Sequence, residues 1–310
     1  MRQYATCFDR NYMAKGVVLY RSLVRHSPEP FILRVLVIDD SEEELAAIVG
    51  KEIPGEGLAA AYFRTRSIGL FPLSLVADDE IMAAKTDRTH QEFCWSLASW
   101  WTRHVMRAGY IPEGETLTYL DADMFFFSDP TPIHEEIGKA SVAILPHHFA
   151  PEDEARLLPN GKYCVSWVTF RNDETGRRVL DDWTTKVLER CKNELRNGGI
   201  GDQGYLNDWP ETYPNVHVIE NRGLSLAPWN LAACKFISIT LGARASGLIS
   251  RMAYIYVKTR GIAVAFHFHE FCRRAKGDYV LTGYKVEDDV KRILYDPYIA
   301  EIEAIEEERC

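Results

Sequence analysis

Short apolar runs alternate along the chain with segments of helical periodicity, and polar turns separate them. Residues 3–8 predict a first strand, interrupted by Asp9-Arg10-Asn11-Tyr12. Residues 14–25 carry Val17, Val18, Leu19 and Leu23 on one broad helical face. Residues 31–38 are rich in β-branched and aliphatic side chains and predict a second strand, ending at Asp39-Asp40-Ser41. Glu42, Glu43 and Glu44 open the next helix, where the positive end of the helix dipole favours acidic side chains. Residues 59–64 predict a third strand. This β-α-β-α-β order implies a parallel sheet with helices on its faces.

Further on, residues 73–85 predict a helix, and residues 91–107 predict another with Phe93, Leu97, Trp101 and Val105 four apart. That second helix also carries Arg103. The apolar run 117–120 reads as a buried strand, followed by Asp121-Ala122-Asp123 and a second apolar run that Asp129-Pro130 stops. Residues 141–145, 163–171 and 216–219 predict strands, and 175–192 a helix. A glycine-rich loop at 197–201 feeds Asp202-Gln203, and Ala227-Pro228-Trp229-Asn230 forms a turn. Residues 251–257 and 263–269 predict strands that pair as a hairpin around 258–261. Residues 286–308 predict an acidic helix broken at Asp296-Pro297. Without a repeat or linker, the chain reads as one α/β domain over 1–300 with an acidic helical tail at 301–310.

Composition narrows the class. Apolar residues make up 46% of the 310 and aromatics 12%, enough for a sizeable core. A net charge of −9 argues against nucleic acid and against anionic lipid as partners. Seven cysteines without paired spacing read as reduced thiols, which favours a cytoplasmic setting. The N-terminus lacks a signal-peptide apolar core, and no run is long enough to predict a transmembrane segment.

The candidate chemistry centres on Asp121 and Asp123. In extended geometry the two carboxylates point to the same side. Such a pair at a strand end suits a hard divalent cation, which is often shared with phosphate oxygens. An acidic turn after a core strand is the other reading, since a bare Asp-x-Asp arises about once by chance at this length. Ligands of open α/β sheets gather at the carboxyl ends of strands, where Asp9, Asp39 and Asp121 all fall.

Taken in order, CFDRNY with its helix, the helix holding Arg103, TYLDADMFFFSDP, GDQGYLNDWP, PWN and HFHEF resemble the nucleotide-sugar glycosyltransferases of GT-A fold. The resemblance is to glycosyltransferase family 8 and related bacterial polysaccharide transferases, and it spans residues 3–270. It implies a Rossmann-like, mixed but mostly parallel sheet flanked by helices. It assigns Asp121, Asp123 and His267 to a divalent ion, usually manganese or else magnesium, with Asp121 and Ala122 beside the donor diphosphate. Asp9, Asn11 and Tyr12 would hold the base and ribose of a UDP-linked sugar, and Arg103 would face the carboxylates or the diphosphate. Asp202 and Gln203 would lie near the anomeric carbon, and Trp229 with Asn230 near the acceptor. The implied activity is metal-dependent, retaining transfer of a sugar from a nucleotide donor to a glycan or lipid-linked acceptor.

The chain also departs from the family. Gly204 stands where a further Asp is usual, and Cys164-Val165-Ser166 where Asn-x-Gly is usual. After His269 the Gly-x-x-Lys-Pro-Trp continuation is missing, leaving Arg273, Arg274 and Lys276 as candidate phosphate contacts or solvated charges. Strand alternation sets His267 and His269 on one face and packs Ile262, Val264, Phe266 and Phe268 into the core. These departures keep open a non-catalytic carbohydrate- or partner-binding protein on a decayed scaffold. A nucleotidyltransferase is the other alternative, although Cys7-Phe8-Asp9-Arg10-Asn11 is not the glycine-rich basic loop expected after its first strand.

Overall fold

The computed structural model describes residues 1–50, 65–195, 200–245, 248–258 and 261–309. A seven-stranded sheet forms the centre. Its strands are β1 (Arg2–Phe8), β2 (Phe31–Val37), β3 (Arg66–Pro72), β4 (Thr116–Leu120), β6 (Val142–Pro146), β7 (Tyr163–Arg171) and β8 (Val216–Val218), in the order β3-β2-β1-β4-β7-β6-β8. The short strand β5 (Met124–Phe126) lies outside this sheet. Every pairing is parallel except those of β7, which runs antiparallel to β4 and β6. The sheet is therefore mixed and mostly parallel, within a single domain, as the alternating pattern implied. The predicted strand at 59–64 lies outside the described residues, and the third described strand is β3.

Strand alternation divides the interior into two cores. Tyr4, Leu33, Val35 and Val37 face the helix α1 (Met13–His26) and the C-terminal helix Asp296–Arg309. Ala5, Cys7 and Leu36 face the helices His90–Arg107 and Glu174–Glu189. The first of those two helices starts in a capping box in which Thr89 accepts from Glu92 N–H and Glu92 accepts from Thr89 N–H. Phe93, Leu97, Trp101 and Val105 are all buried along it.

Several boundaries differ from expectation for local reasons. The predicted helix 73–85 divides into Leu73–Val76 and Asp79–Lys85, because Asp78 caps the second piece by accepting from Ile81 N–H. The helical course does not break at Asp296-Pro297. A π-helical stretch, Lys291–Tyr295, runs straight into Asp296–Arg309 and gives the Pro297 ring a place in a first turn. Residues 251–257 meet the run 263–269 only at its start, where Ala263 N–H donates to Ile255 C=O at 2.8 Å. The strand Leu248–Val257 instead pairs antiparallel with Phe236–Ala245, which the pattern missed, and at its end with Gly261–Ile262. Ala265–His267 turns away to pair with β5. Ile262 therefore belongs to the hairpin and is 47% exposed, while Val264, Phe266 and Phe268 are buried as predicted.

Candidate metal and donor site

The strand β4 delivers Asp121 to its carboxyl end, and a turn then brings Asp123 beside it. Met124 N–H donates to Asp121 C=O at 3.2 Å, so residues 121–124 bend back. A turn, not strand alternation, sets the relation of the two carboxylates. Asp123 C=O accepts from Phe268 N–H at 2.9 Å, which ties the turn to the chain just past Ala265–His267. His267 Nε2 then lies 3.1 Å from Asp123 Oδ1 and 3.7 Å from Asp121 Oδ2. One ligand atom from each of Asp121, Asp123 and His267 falls within 4.8 Å of the others. Two carboxylate oxygens and an imidazole nitrogen form a donor set suited to a divalent metal ion.

Burial and crowded charge pull the groups of the cluster in opposite directions. Burial pushes the Asp121 carboxyl up to about 7, against the pull of His267. Burial also penalises charged Asp123, but His267 and Lys15 outweigh it and hold the group below the usual carboxylate range. For His267 burial opposes the imidazolium, and Asp123 with Cys164 raises it well above the ordinary value. Asp202 is buried, and burial together with the charge of Asp121 pushes its carboxyl well up. Asp202 precedes the 3-10 helix Gln203–Asp208, in which Gln203 is half-buried.

A supporting layer lies behind the imidazole. His267 Nδ1 meets Cys164 Sγ at 3.8 Å, and this contact leaves Nε2 towards the carboxylates. His147, also buried, bonds Gly161 C=O through Nδ1 at 3.0 Å. Burial works against a Cys164 thiolate, but contacts with His147 and His267 hold its pKa well below the ordinary thiol value. Trp229 donates to His147 C=O at 2.8 Å and meets the rings of His267 and His269 edge-on.

At the end of β1, Asp9 organises the turn into α1. Its Oδ1 accepts from Asn11 N–H and Tyr12 N–H, and its Oδ2 from the Asn11 side-chain amide, with His90 Nε2 2.8 Å away. These four contacts fill the acceptor positions of the carboxylate. Tyr12 is 42% exposed, and Lys15 Nζ sits 3.8 Å over its ring. Lys15 Nζ also lies 3.9 Å from Asp123 Oδ2, which places Tyr12 beside the carboxylate cluster, and the charge of Asp123 raises the Tyr12 phenol.

Other expectations are corrected. Arg103 is not brought to the carboxylates: its guanidinium is 2.6 Å from Glu80 and lines a separate hollow with Asp78, Trp100, His104 and Arg107. Its helix position allowed either side of the sheet. Trp229 is 6% exposed and packs on His147 and Phe149, so it offers no open face to a sugar. Asn230 is fully buried, donating to His147 C=O and Ser225 C=O while accepting from Ala227 N–H, and acts as a loop brace. Arg273 pairs with Glu303 and Lys276 with Glu307, both on the C-terminal helix. Sequence reasoning missed Lys15, His90 and His147 altogether, because none belongs to a local motif.

A mixed sheet of this order, with a carboxylate pair at the end of its central strand, defines a GT-A architecture. Comparison of structures agrees. The galactosyltransferase LgtC, solved in complex with donor and acceptor sugar analogues, superposes with a TM-score of 0.53 over 97% of this chain and 95% of its own, at 14% identity. An active-site mutant of LgtC gives a TM-score of 0.55 over the same shares, at 13% identity. At that identity the likeness establishes the GT-A fold. In sequence the chain is similar to two uncharacterized proteins of Bacillus subtilis (strain 168). YfnD is 26% identical over 96% of this chain and 87% of its own length, and YfnF 26% over 73% and 71%. No family model matches the chain. Among the described residues no helix is long and apolar enough to cross a membrane.

Proposed function

We propose that this chain is a metal-dependent glycosyltransferase that takes a sugar from a nucleoside-diphosphate donor, UDP-linked, and delivers it to a glycan or lipid-linked acceptor. The carrying observation is the convergence of Asp121, Asp123 and His267 at the carboxyl end of β4 on a GT-A fold. Those three residues would hold Mn2+ or Mg2+, which when bound supplies charge neutralisation to a departing diphosphate. Asp9, Asn11 and Tyr12 would line the base and ribose, with Tyr12 presenting its partly exposed ring for stacking. Because the acceptor positions of Asp9 are filled, recognition of a uracil N3–H there requires a contact of Asn11 or His90 to give way. Asp202 and Gln203 would contact the transferred sugar. Retention by front-face displacement, with the departing diphosphate assisting deprotonation of the acceptor, requires no enzyme nucleophile.

A panel of nucleotide sugars, read by thermal protection with and without Mn2+, tests the reading. Metal-dependent protection by a UDP-sugar, stronger than by a GDP-sugar, is expected, together with slow donor hydrolysis. Asp123→Asn removes one charge at nearly constant volume, so the fold should survive. Its donor turnover should fall at least about a hundredfold, which corresponds to about 2.7 kcal/mol of lost transition-state stabilisation. Turnover by Asp123→Asn within a few-fold of the parent refutes the metal assignment.

A further inference from the structure

The cation that accompanies the carboxylate cluster is a lysine at the opposite end of the chain's motif order. Lys15 lies in the first turn of α1, is 8% exposed, and holds Nζ 3.9 Å from Asp123 Oδ2 and 3.8 Å above the Tyr12 ring. Among the described residues its three N–H donors meet no hydrogen-bond acceptor; the carboxylate stands at ion-pair distance and the ring offers only its π face.

Three costs coincide at this position. A buried ammonium forfeits hydration. The first turn of a helix is the positive end of its dipole, and this one contains no acidic side chain to offset it. The donors of the ammonium are unused. A side chain that breaks several local rules together is the mark of a functional position. The other candidate cations do not share its situation: Arg10 pairs with Glu44, Arg103 with Glu80, Arg273 with Glu303 and Lys276 with Glu307.

We propose that Lys15 is the diphosphate contact of this site, its ammonium moving from the Tyr12 ring onto phosphate oxygens when a nucleoside diphosphate enters. The inference rests on the donor reading above and extends it to a residue that no motif marks. Tyr12 and Lys15 stand three apart on one side of the helix start, so the same movement uncovers a ring face for the base as it brings positive charge to the phosphates. A flexible four-carbon stem makes that movement easy for lysine.

The test is calorimetric titration of UDP, UMP and uridine, each with Mn2+, into the parent, Lys15→Met and Lys15→Arg. Lys15→Met keeps the buried stem without the charge. It is expected to bind UDP at least about tenfold more weakly while its uridine affinity stays within about twofold, and Lys15→Arg should recover most of the loss. UDP binding by Lys15→Met within twofold of the parent overturns the inference and leaves the donor reading intact. Parallel losses for uridine and UDP overturn it too, since the lysine would then act through Tyr12. Loss in both variants with a lowered melting midpoint identifies a structural role and likewise overturns it. A parent that binds no UDP defeats the donor reading, and the role of Lys15 falls with it.

Discussion

His267 occupies the end of a three-residue strand, with Nε2 among the carboxylates and Nδ1 against Cys164. His269, two residues on, lies past the strand end beside Glu270 at φ 63, in the left-handed region. Its side chain is 44% exposed and its Nε2 is 3.7 Å from Glu270. The two rings are 5.6 Å apart, but only His267 joins the cluster of ligand atoms. His267→Ala should therefore weaken Mn2+ binding at least about tenfold, the usual lower cost of removing a ligand or its support. His269→Ala should change it less than about threefold. Equal or reversed effects in direct Mn2+ titrations contradict the assignment of His267.

Between the strand Ala265–His267 and the last helix lies a small hairpin, Cys272–Ala275 with Asp278–Val280. Arg273 donates to both oxygens of Glu303, at 3.0 and 3.3 Å, and the Tyr279 hydroxyl also donates to that carboxylate. These contacts, Arg273 foremost, bring the Glu303 carboxyl down to about 2 from its ordinary 4.5. The folded pKa is depressed, so the stabilisation is fully present above about 4.5 and is lost as pH falls towards about 2. Glu303→Gln should cost about 1 kcal/mol at neutral pH, as suits a partly exposed network. The gap between variant and parent in urea unfolding should narrow across that acid window; a gap independent of pH contradicts a stabilising role for the Glu303 carboxylate.

At the scale of the molecule, the C-terminal helix Asp296–Arg309 forms part of the core. Tyr298, Ile302 and Ile305 are buried, and Phe268 stacks on Tyr298 at 3.8 Å, next to the strand that carries His267. Glu301 and Glu308 pair with Arg25 and Arg21 of α1, and Arg309 with Glu44. Each large apolar side chain removed from burial costs about 1.5–3 kcal/mol. Three together approach the whole stability of a typical domain, about 5–15 kcal/mol. Deleting residues 296–310 should accordingly abolish cooperative thermal melting and donor protection. A truncated chain that melts within a few degrees of the parent contradicts this account, and would support an appended acidic tail.

What the sequence determined by itself is what depends on neighbours along the chain. Four-residue spacing from Phe93 to Val105 marked a helix whose face is buried where that period requires, and residues 163–171 were legible as a strand that proves buried on both faces. The Asp121-Ala122-Asp123 triplet was legible because a strand end and two carboxylates are a local pattern. Tertiary structure decided everything that joins distant segments. His90 reaches Asp9 across 81 residues and Cys164 reaches His267 across 103, and no spacing rule encodes either approach. Helical periodicity placed Arg103 on a helix without choosing between Glu80 and the carboxylates. Charge alone could not separate Arg273 and Lys276, held by the last helix, from Lys15, held beside Asp123. A side chain's partners follow from which faces the folded sheet and helices bring within a few ångströms, and that choice is made by long-range packing.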